Sequence, residues 1–239
     1  MKRFLPFLII ALTFSSCQED VKFSKPGFQA LKDDVFWRAN DIRAYVSQTG
    51  ELTINAFTAY EILTLSTRFA NEGTYVLGTT NTNNFIIYTN TFENLNLEYA
   101  TIPVPGPVLN VGISNTGSSY VTSSSPVATT GGSGSGLTVT IEANASGLVT
   151  KVAVSASGNN YTSGDIVTIA GGNVNAKIRV LNVQNSNGEI IITEYDDLNR
   201  TISGKFKFIA PTTNDSPFAG PLLTYSNGEF YKIPIYPSL

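Results

Sequence analysis

Glu189-Ile190-Ile191-Ile192-Thr193-Glu194-Tyr195, followed by Asp196-Asp197-Leu198-Asn199-Arg200 and then Thr201-Ile202-Ser203-Gly204-Lys205-Phe206-Lys207-Phe208, decides the fold. In its second half Ile202, Gly204, Phe206 and Phe208 fall on one side of an extended chain, and Thr201, Ser203, Lys205 and Lys207 on the other. A period of two sends one set into a core and the other into water, as a half-buried strand requires. The polar five-residue run between the halves makes the whole a β-hairpin. The same alternation recurs in Leu52–Phe57 and in residues 63–69, and strands continue through residues 73–78 and 84–88, with Asn- and Gly-rich turns between them. Nearer the start, residues 28–31 and 35–39 flank a Lys32-Asp33-Asp34 turn. At the end, residues 222–225 and 229–235 flank Ser226-Asn227-Gly228, a second turn signal. No stretch beyond the first residues sustains a helical period for three turns. The fold class is therefore all-β, an antiparallel β-sandwich or barrel.

Between residues 102 and 184 the composition changes. Pro103-Val104-Pro105-Gly106-Pro107 is a stiff connector, and the rest is rich in Gly and Ser with only two aromatic residues, Tyr120 and Tyr161. Those two mark an internal repeat with a period of about 41, since Ile113 to Tyr120 aligns with Val154 to Tyr161, and Gly131-Gly132 with Gly171-Gly172. After each Gly-Gly comes a β-branched alternating strand, residues 137–141 and 176–180, so the segment should fold. The expected organisation is a host β-domain split into residues 27–102 and 184–239. An inserted module occupies 103–183, with copies at about 108–143 and 149–183. Loop insertion is cheap because closure entropy grows only logarithmically with length. Tyr120 and Tyr161 have two readings, as ligand-stacking platforms for a sugar or as side chains packed over the Gly turn before each.

Residues 1–16 read as an export leader: Met1-Lys2-Arg3 is basic, and Phe4 to Phe14 is an almost unbroken apolar run. The run is too short for a membrane span of roughly 20 residues and suits the roughly 7–15 of a signal-peptide core, with helical character expected. Phe14-Ser15-Ser16-Cys17 resembles the end of a bacterial lipoprotein signal peptide, with Phe14 where the family carries Leu. The resemblance implies lipidation of Cys17, the only cysteine, and cleavage just before it. Two or more acyl chains would then hold the protein to a membrane. Gln18-Glu19-Asp20 resembles the surface-export signal of Bacteroidetes lipoproteins, implying an outer-membrane anchor and display at the cell surface, and residues 17–26 read as a tether.

Further motifs carry a wider likeness. Gly27-Phe28-Gln29-Ala30, Phe36-Trp37-Arg38-Ala39, Gly73-Thr74-Tyr75, Thr201 to Phe206 and Ser226 to Phe230 together resemble an uncharacterised family of small Bacteroidetes lipoproteins, a domain of unknown function. That likeness brings a fold and no chemistry. The insert resembles the Gly-x-x-Tyr β-repeats of phage virion proteins and bacterial surface proteins, which implies a compact structural module.

Composition bounds the function. Charged residues make up 14%, well under the roughly 25% of an average soluble domain. With Lys2 and Arg3 removed, the 15 Lys and Arg become 13 against 18 Asp and Glu, a net charge of −5. Such a chain has no electrostatic footprint for nucleic acid. It has no His, hence no imidazole base or His metal ligand, and its one cysteine is assigned to lipid. Glu93, Glu98, Glu194, Asp196 and Asp197 could supply a glycosidase pair, but their positions read as turns and solvent faces. No Asp-x-Asp-x-Asp-Gly spacing suggests calcium. The expectation is a non-enzymatic binding or adhesion lipoprotein with no catalytic residue, metal or cofactor. Its partners are a membrane through the lipid on Cys17 and a glycan or protein ligand. The alternatives are a carrier whose apolar cavity is lined by Phe57, Leu65 and Phe206, and a two-carboxylate glycosidase. Trp37, the only tryptophan, reads as core.

Overall fold

The computed structural model describes residues 26–237, almost all strand and turn with one short 3-10 segment, Phe92–Asn94. The leader with its expected helix, Cys17 and nearly all of the tether lie outside the described residues.

The strands in chain order are β1 (Gly27–Lys32), β2 (Val35–Arg38), β3 (Asp41–Val46), β4 (Leu52–Phe57), β5 (Glu61–Thr67), β6 (Gly73–Leu77), β7 (Phe85–Asn90) and β8 (Leu97–Ala100). Then come β9 (Val108–Asn115), β10 (Ser123–Thr130), β11 (Ser135–Ala143), β12 (Val149–Asn159), β13 (Ile166–Ile169) and β14 (Lys177–Val183). The chain ends with β15 (Asn187–Asp196), β16 (Thr201–Pro211) and β17 (Leu222–Pro237).

One sheet has the order β6-β15-β16-β17-β3-β4-β5-β7-β8, with β1 and β2 branching from β17. The hairpin β15–β16 forms as its alternation requires, with Ile202, Phe206 and Phe208 buried and Lys205 and Lys207 in water. Ser203, in the set that alternation assigns to water, is buried beside the register shift between Ile192 and Glu194. Its hydroxyl is buried, donates to Glu194 at 3.1 Å and accepts from the Lys232 backbone N–H at 3.1 Å.

The fork lies in β17. Its first part runs antiparallel to β1, from Lys32↔Tyr225 to Gly27↔Tyr231, and its last residues run parallel to β3, beginning at Ile235↔Ala44. Between them Lys232 has φ 48. A left-handed residue bends a strand and lets it pass from one layer to another. The sheet therefore curls over a single core that includes Phe28, Trp37, Ile54, Leu65, Phe206 and Phe230. The host is antiparallel as expected, apart from this one parallel pairing at the end of β17. Ser226-Asn227-Gly228 is not a hairpin turn. Asn227 has φ 50 and the three residues form a bulge inside β17, while both flanks keep pairing with β16 at Lys205↔Glu229 and Phe208↔Tyr225.

The other sheet, order β12-β11-β10-β13-β14-β9, draws only on residues 108–183 and has its own core, including Val108, Tyr120, Val139, Tyr161 and Val180. Its order reads the same from both ends when β9 is equated with β12, β10 with β13 and β11 with β14. The implied pseudo-two-fold axis passes between β10 and β13, where Thr129 faces Ile169. The two leading strands are exchanged across it, since β9 pairs with β14. Val149 N donates to Thr116 O at 2.9 Å, joining the two edges so that the sheet curls almost closed.

The two sheets meet at one of the two ends that this axis exchanges. The buried Ser163 hydroxyl donates to Gly78 O at 3.0 Å. Gly78 has φ 68, and a Cβ there would stand 2.2 Å from Ser186 O, so no other residue fits this approach.

Candidate functional site

Among the described residues polar side chains gather in several places, two of which bear on function. The first caps the core of the curled sheet. Phe28, Ala30 and Lys32 share one face of β1; Glu61, Leu63 and Leu65 share one face of β5; Ile86 and Tyr88 share one face of β7. In each row the apolar members are buried and the polar group ends the row. Lys32 and Glu61 form an ion pair, and Lys32 also donates to Tyr88 OH at 2.9 Å. Glu61 accepts from Trp37 Nε1 at 2.5 Å, Tyr88 OH at 2.6 Å and Thr58 Oγ1 at 3.1 Å. Asn90 Nδ2 donates to Tyr88 OH at 3.3 Å.

Burial by itself would push the Glu61 carboxyl up, but hydrogen bonds from Lys32, Tyr88 and Trp37 outweigh it and hold the group below its ordinary value. Burial works to lower Lys32, and its bonds to Glu61 and Tyr88 raise it overall. The carboxylate therefore stays ionised and fully engaged, the amine stays charged, and Tyr88 is held protonated, chiefly by burial. The network's chemistry is that of a strut tying β1, β2, β5 and β7 together. Trp37 belongs to it: the ring is buried and edge-on to Phe28 at 6.0 Å and to Tyr225 at 5.7 Å. Sequence reading missed Lys32 and Glu61. The signal that could have found them is a charge on the core-facing row of an alternating strand.

The second place is the end of the other sheet away from the Ser163 junction. Open hollows surround this end, where Val121 is exposed, and two of them share Thr122. One, about 380 Å³, is lined by Thr122, Ser123, Ser124, Thr140, Glu142 and Lys151, among others. The other, about 500 Å³, runs along Ser119 to Thr122 and Ala143 to Gly147. Thr122 fixes the wall between them, since its Oγ1 accepts from Ala143 N at 3.0 Å and donates to Ala143 O at 3.2 Å. Glu142 and Lys151 pair at 2.8 Å on the rim, well exposed. The lining mixes Ser and Thr hydroxyls and one ion pair with apolar side chains, Val121, Ile141, Ala143, Ala145 and Ala153.

Tyr120 and Tyr161 are both buried, at 4% and 1% exposure, so neither ring presents a stacking face. Each packs against the Gly-Gly of the other copy rather than the turn before it. A Cβ at Gly172, which has φ 51, would lie 2.6 Å from the Tyr120 ring, and one at Gly132 would lie 3.2 Å from Tyr161. Tyr120 OH donates to Ile169 O at 2.9 Å and accepts from Ala176 N at 3.1 Å. The physical reason is the strand exchange, which brings each copy's aromatic ring beneath its partner's glycines.

Leu65 and Phe206 are core side chains, and a Cβ at Gly228 would stand 2.6 Å from the Phe206 ring, so that part of the interior is filled. Phe57 lies partly exposed beneath the Arg43 guanidinium, 5.7 Å from its ring centre. Glu98 accepts from Thr213 Oγ1 at 2.6 Å, Glu194 from Ser203, and Asp196 caps its own turn through Asn199, so these three carboxylates sit on separate structural bonds. Among the described residues no group of three or more His, Cys, Asp or Glu is placed to hold a metal ion.

Neither a curated protein nor a solved structure matches the chain. One family model matches it twice, over residues 24–118 and 114–234, so that the matched span takes in both sheets. On that coverage the chain belongs to the family described as a domain of unknown function, DUF6252.

Proposed function

We propose that the chain is a cell-envelope lipoprotein, anchored in the outer membrane through Cys17 and displayed at the cell surface, that acts as a non-enzymatic binding or adhesion module. The observation that carries this reading is the hollowed end of the second sheet, bordered by Ser and Thr hydroxyls and small apolar side chains, which stands opposite the attachment to the first and is open to solvent. The leader, the lone Cys17 and the acidic residues after it support export and anchoring. The saturated Lys32–Glu61 network supports a scaffold role for the curled sheet.

The carrier reading has one observation of its own, an apolar cleft lined by Phe85, Ile87, Ala100, Ile102 and Pro103. At about 180 Å³ it is below the roughly 300–1,000 Å³ of ordinary ligand pockets. Binding at the second sheet is therefore preferred.

Protease accessibility on intact and lysed cells tests the proposal, with Cys17→Ala as the unanchored control. Digestion on intact cells, with release of the Cys17→Ala protein from the membrane fraction, is the expected result. Protection until lysis would remove the surface reading.

A further inference from the structure

The β15–β16 hairpin spans the first sheet between the attachment of the second sheet and the entry of the chain from Cys17. β15 starts at Asn187, whose Nδ2 donates to Val183 O at 3.2 Å and to Gln184 O at 2.7 Å where the chain leaves the second sheet. It then runs 10 residues to Asp196, roughly 33 Å at about 3.3 Å per residue. The chain enters at the far end: Gly27 lies against Tyr231, and three residues further along β17 Pro234 lies against Thr201, where the hairpin closes. Cys17 stands ten positions before Gly27, a reach of at most about 35 Å. This end carries a bare leucine on a rigid mount. Leu198, in the hairpin loop, is 95% exposed. Asn199 N and Nδ2 donate to the Asp196 carboxylate at 2.9 and 2.6 Å, and Ile235 N donates to Arg200 O at 2.8 Å, so both sides of the loop are fixed. Next to Ile235, Tyr236 is 47% exposed, with its ring 6.1 Å from Tyr45. Of the 11 tyrosines five are buried, and of the other six Tyr45, Tyr195, Tyr231 and Tyr236 belong to this end. A ring with a polar tip suits the boundary between hydrocarbon and water.

From this placement we infer that the Leu198 loop, with Tyr236 and Tyr45 beside it, is a membrane-docking face that seats on the zwitterionic lipid surface in which Cys17 is anchored. The inference rests on the lipoprotein reading and gives it an orientation: the second sheet, joined at the Asn187 end of β15, is held off the bilayer. An anchor this close presents the face to lipid at high effective concentration, so one leucine and a few ring edges bind where they would not from free solution. The loop is formed before contact, which lowers the ordering cost of docking. Around it Glu194, Asp196 and Asp197 stand against Arg200 and Lys232, so among the described residues this tip has no excess of cations to select anionic lipid.

The test uses the full chain purified from membranes and reconstituted in phosphatidylcholine vesicles, its mass recorded for acyl groups. The polarity-sensitive fluorophore nitrobenzoxadiazole is attached at Leu198→Cys and, in a separate protein, at Val121→Cys, an exposed position at the free end of the second sheet. Acylated Cys17 has no thiol to compete for the label. The label at 198 should shift to the blue and be quenched by nitroxide-bearing lipid, and the label at 121 should do neither. In a third protein labelled at Tyr236→Cys, adding Leu198→Asp should weaken docking by about tenfold or more, read as loss of that quenching. Both positions are exposed, so the fold is retained. A label at 198 that stays in water while the acylated protein remains on the vesicles would overturn the inference and leave the lipoprotein reading standing. Equal quenching at 121 and 198 would overturn it too, since no end would then be preferred. A mature chain whose mass includes no acyl group would remove the lipoprotein reading, and the inference with it.

Discussion

Replacing Glu61 by Ala removes the acceptor on which the cap of the first core converges. The side chain is 13% exposed and takes bonds from four donors, among them Lys32, whose own side chain is 26% exposed. After the change Lys32 keeps Tyr88 OH, whereas Trp37 Nε1 loses its carboxylate in a buried position. Breaking a fully buried pair costs about 3–5 kcal/mol, and each orphaned donor about 1–3 kcal/mol. Partial access of water to Lys32 lowers that sum, so a loss of about 3 kcal/mol is expected. In a chain of this size, where about 1 kcal/mol corresponds to 2–4 °C, the midpoint should fall by about 6–12 °C. The measurement is urea and thermal unfolding of the soluble chain, wild type against Glu61→Ala, with Lys32→Met/Glu61→Leu as a second variant. The double change leaves no unpaired charge and should recover part of the loss, the share that remains coming from Trp37 Nε1 and Tyr88 OH without their acceptor. The pH profile supplies an independent check. Because the folded Glu61 carboxyl titrates below its ordinary value, its contribution is present above about pH 4.5 and is lost as pH falls through the folded value. Lys32 titrates above its ordinary value, so its contribution holds below about pH 10.5 and is lost as pH rises through the folded value. The acid-side slope should be shallower in Glu61→Ala. A stability within about 0.5 kcal/mol of wild type, or an unchanged acid slope, would refute the idea that this network holds the core shut.

Tyr225→Phe should leave stability unchanged or raise it by about 1 kcal/mol, because the hydroxyl is buried and has no hydrogen-bond partner among the described residues; a loss larger than this in urea unfolding would reveal a bonded group beside it. Gly204→Ala should cost about 1–3 kcal/mol or more, since the new Cβ would meet Ile191 O at 2.2 Å and the Phe230 ring at 2.4 Å; a neutral outcome would show that β16 can shift away from its neighbours. Replacing residues 108–183 by a two-residue Asn-Gly turn should leave the first sheet folded with a cooperative transition, because Gln184 N and Pro107 O already stand 2.8 Å apart; a product without near-ultraviolet dichroism would refute this.

Strands with one buried face were legible in the sequence, and strands whose burial comes from distant partners were not. β4 was read from its alternation, and its burial pattern repeats it residue by residue. β10, with the sequence SSSPVATT, is mostly exposed and is held in place by β11 and β13, so it carries no local signature. Asn227-Gly228 was read as a hairpin because a turn signal is local, while the decision to continue straight is made by β16 and β1 on either side. The roles of Tyr120 and Tyr161 failed for a related reason. The spacing of the repeat was visible, but the exchange of β9 and β12 that places each ring under the other copy's glycines is a fact of topology. Lys32 and Glu61 lie 29 positions apart and meet only because the sheet curls.

The same exchange accounts for how an 81-residue segment can sit within the first sheet without disrupting it, taking the segment as residues 103–183. Had each copy folded on itself, the entry strand and the exit strand of the second sheet would belong to different copies with nothing to hold them together. With the leading strands exchanged, β9 enters directly beside β14, and Val108 lies opposite Val183 in the ladder. The chain therefore leaves the second sheet where it entered. Gln184 bonds back to Pro107, and three residues later β15 begins the strand that pairs with β6, Gly188 against Leu77. Closure is accomplished by a ladder of hydrogen bonds rather than left to the entropy of a long loop. The cost of that solution is symmetry: a sheet that brings its two termini together at one end must carry an equivalent end elsewhere. One end is covered by the Gly78 turn, and the other, at Thr122 and Ala145, faces solvent.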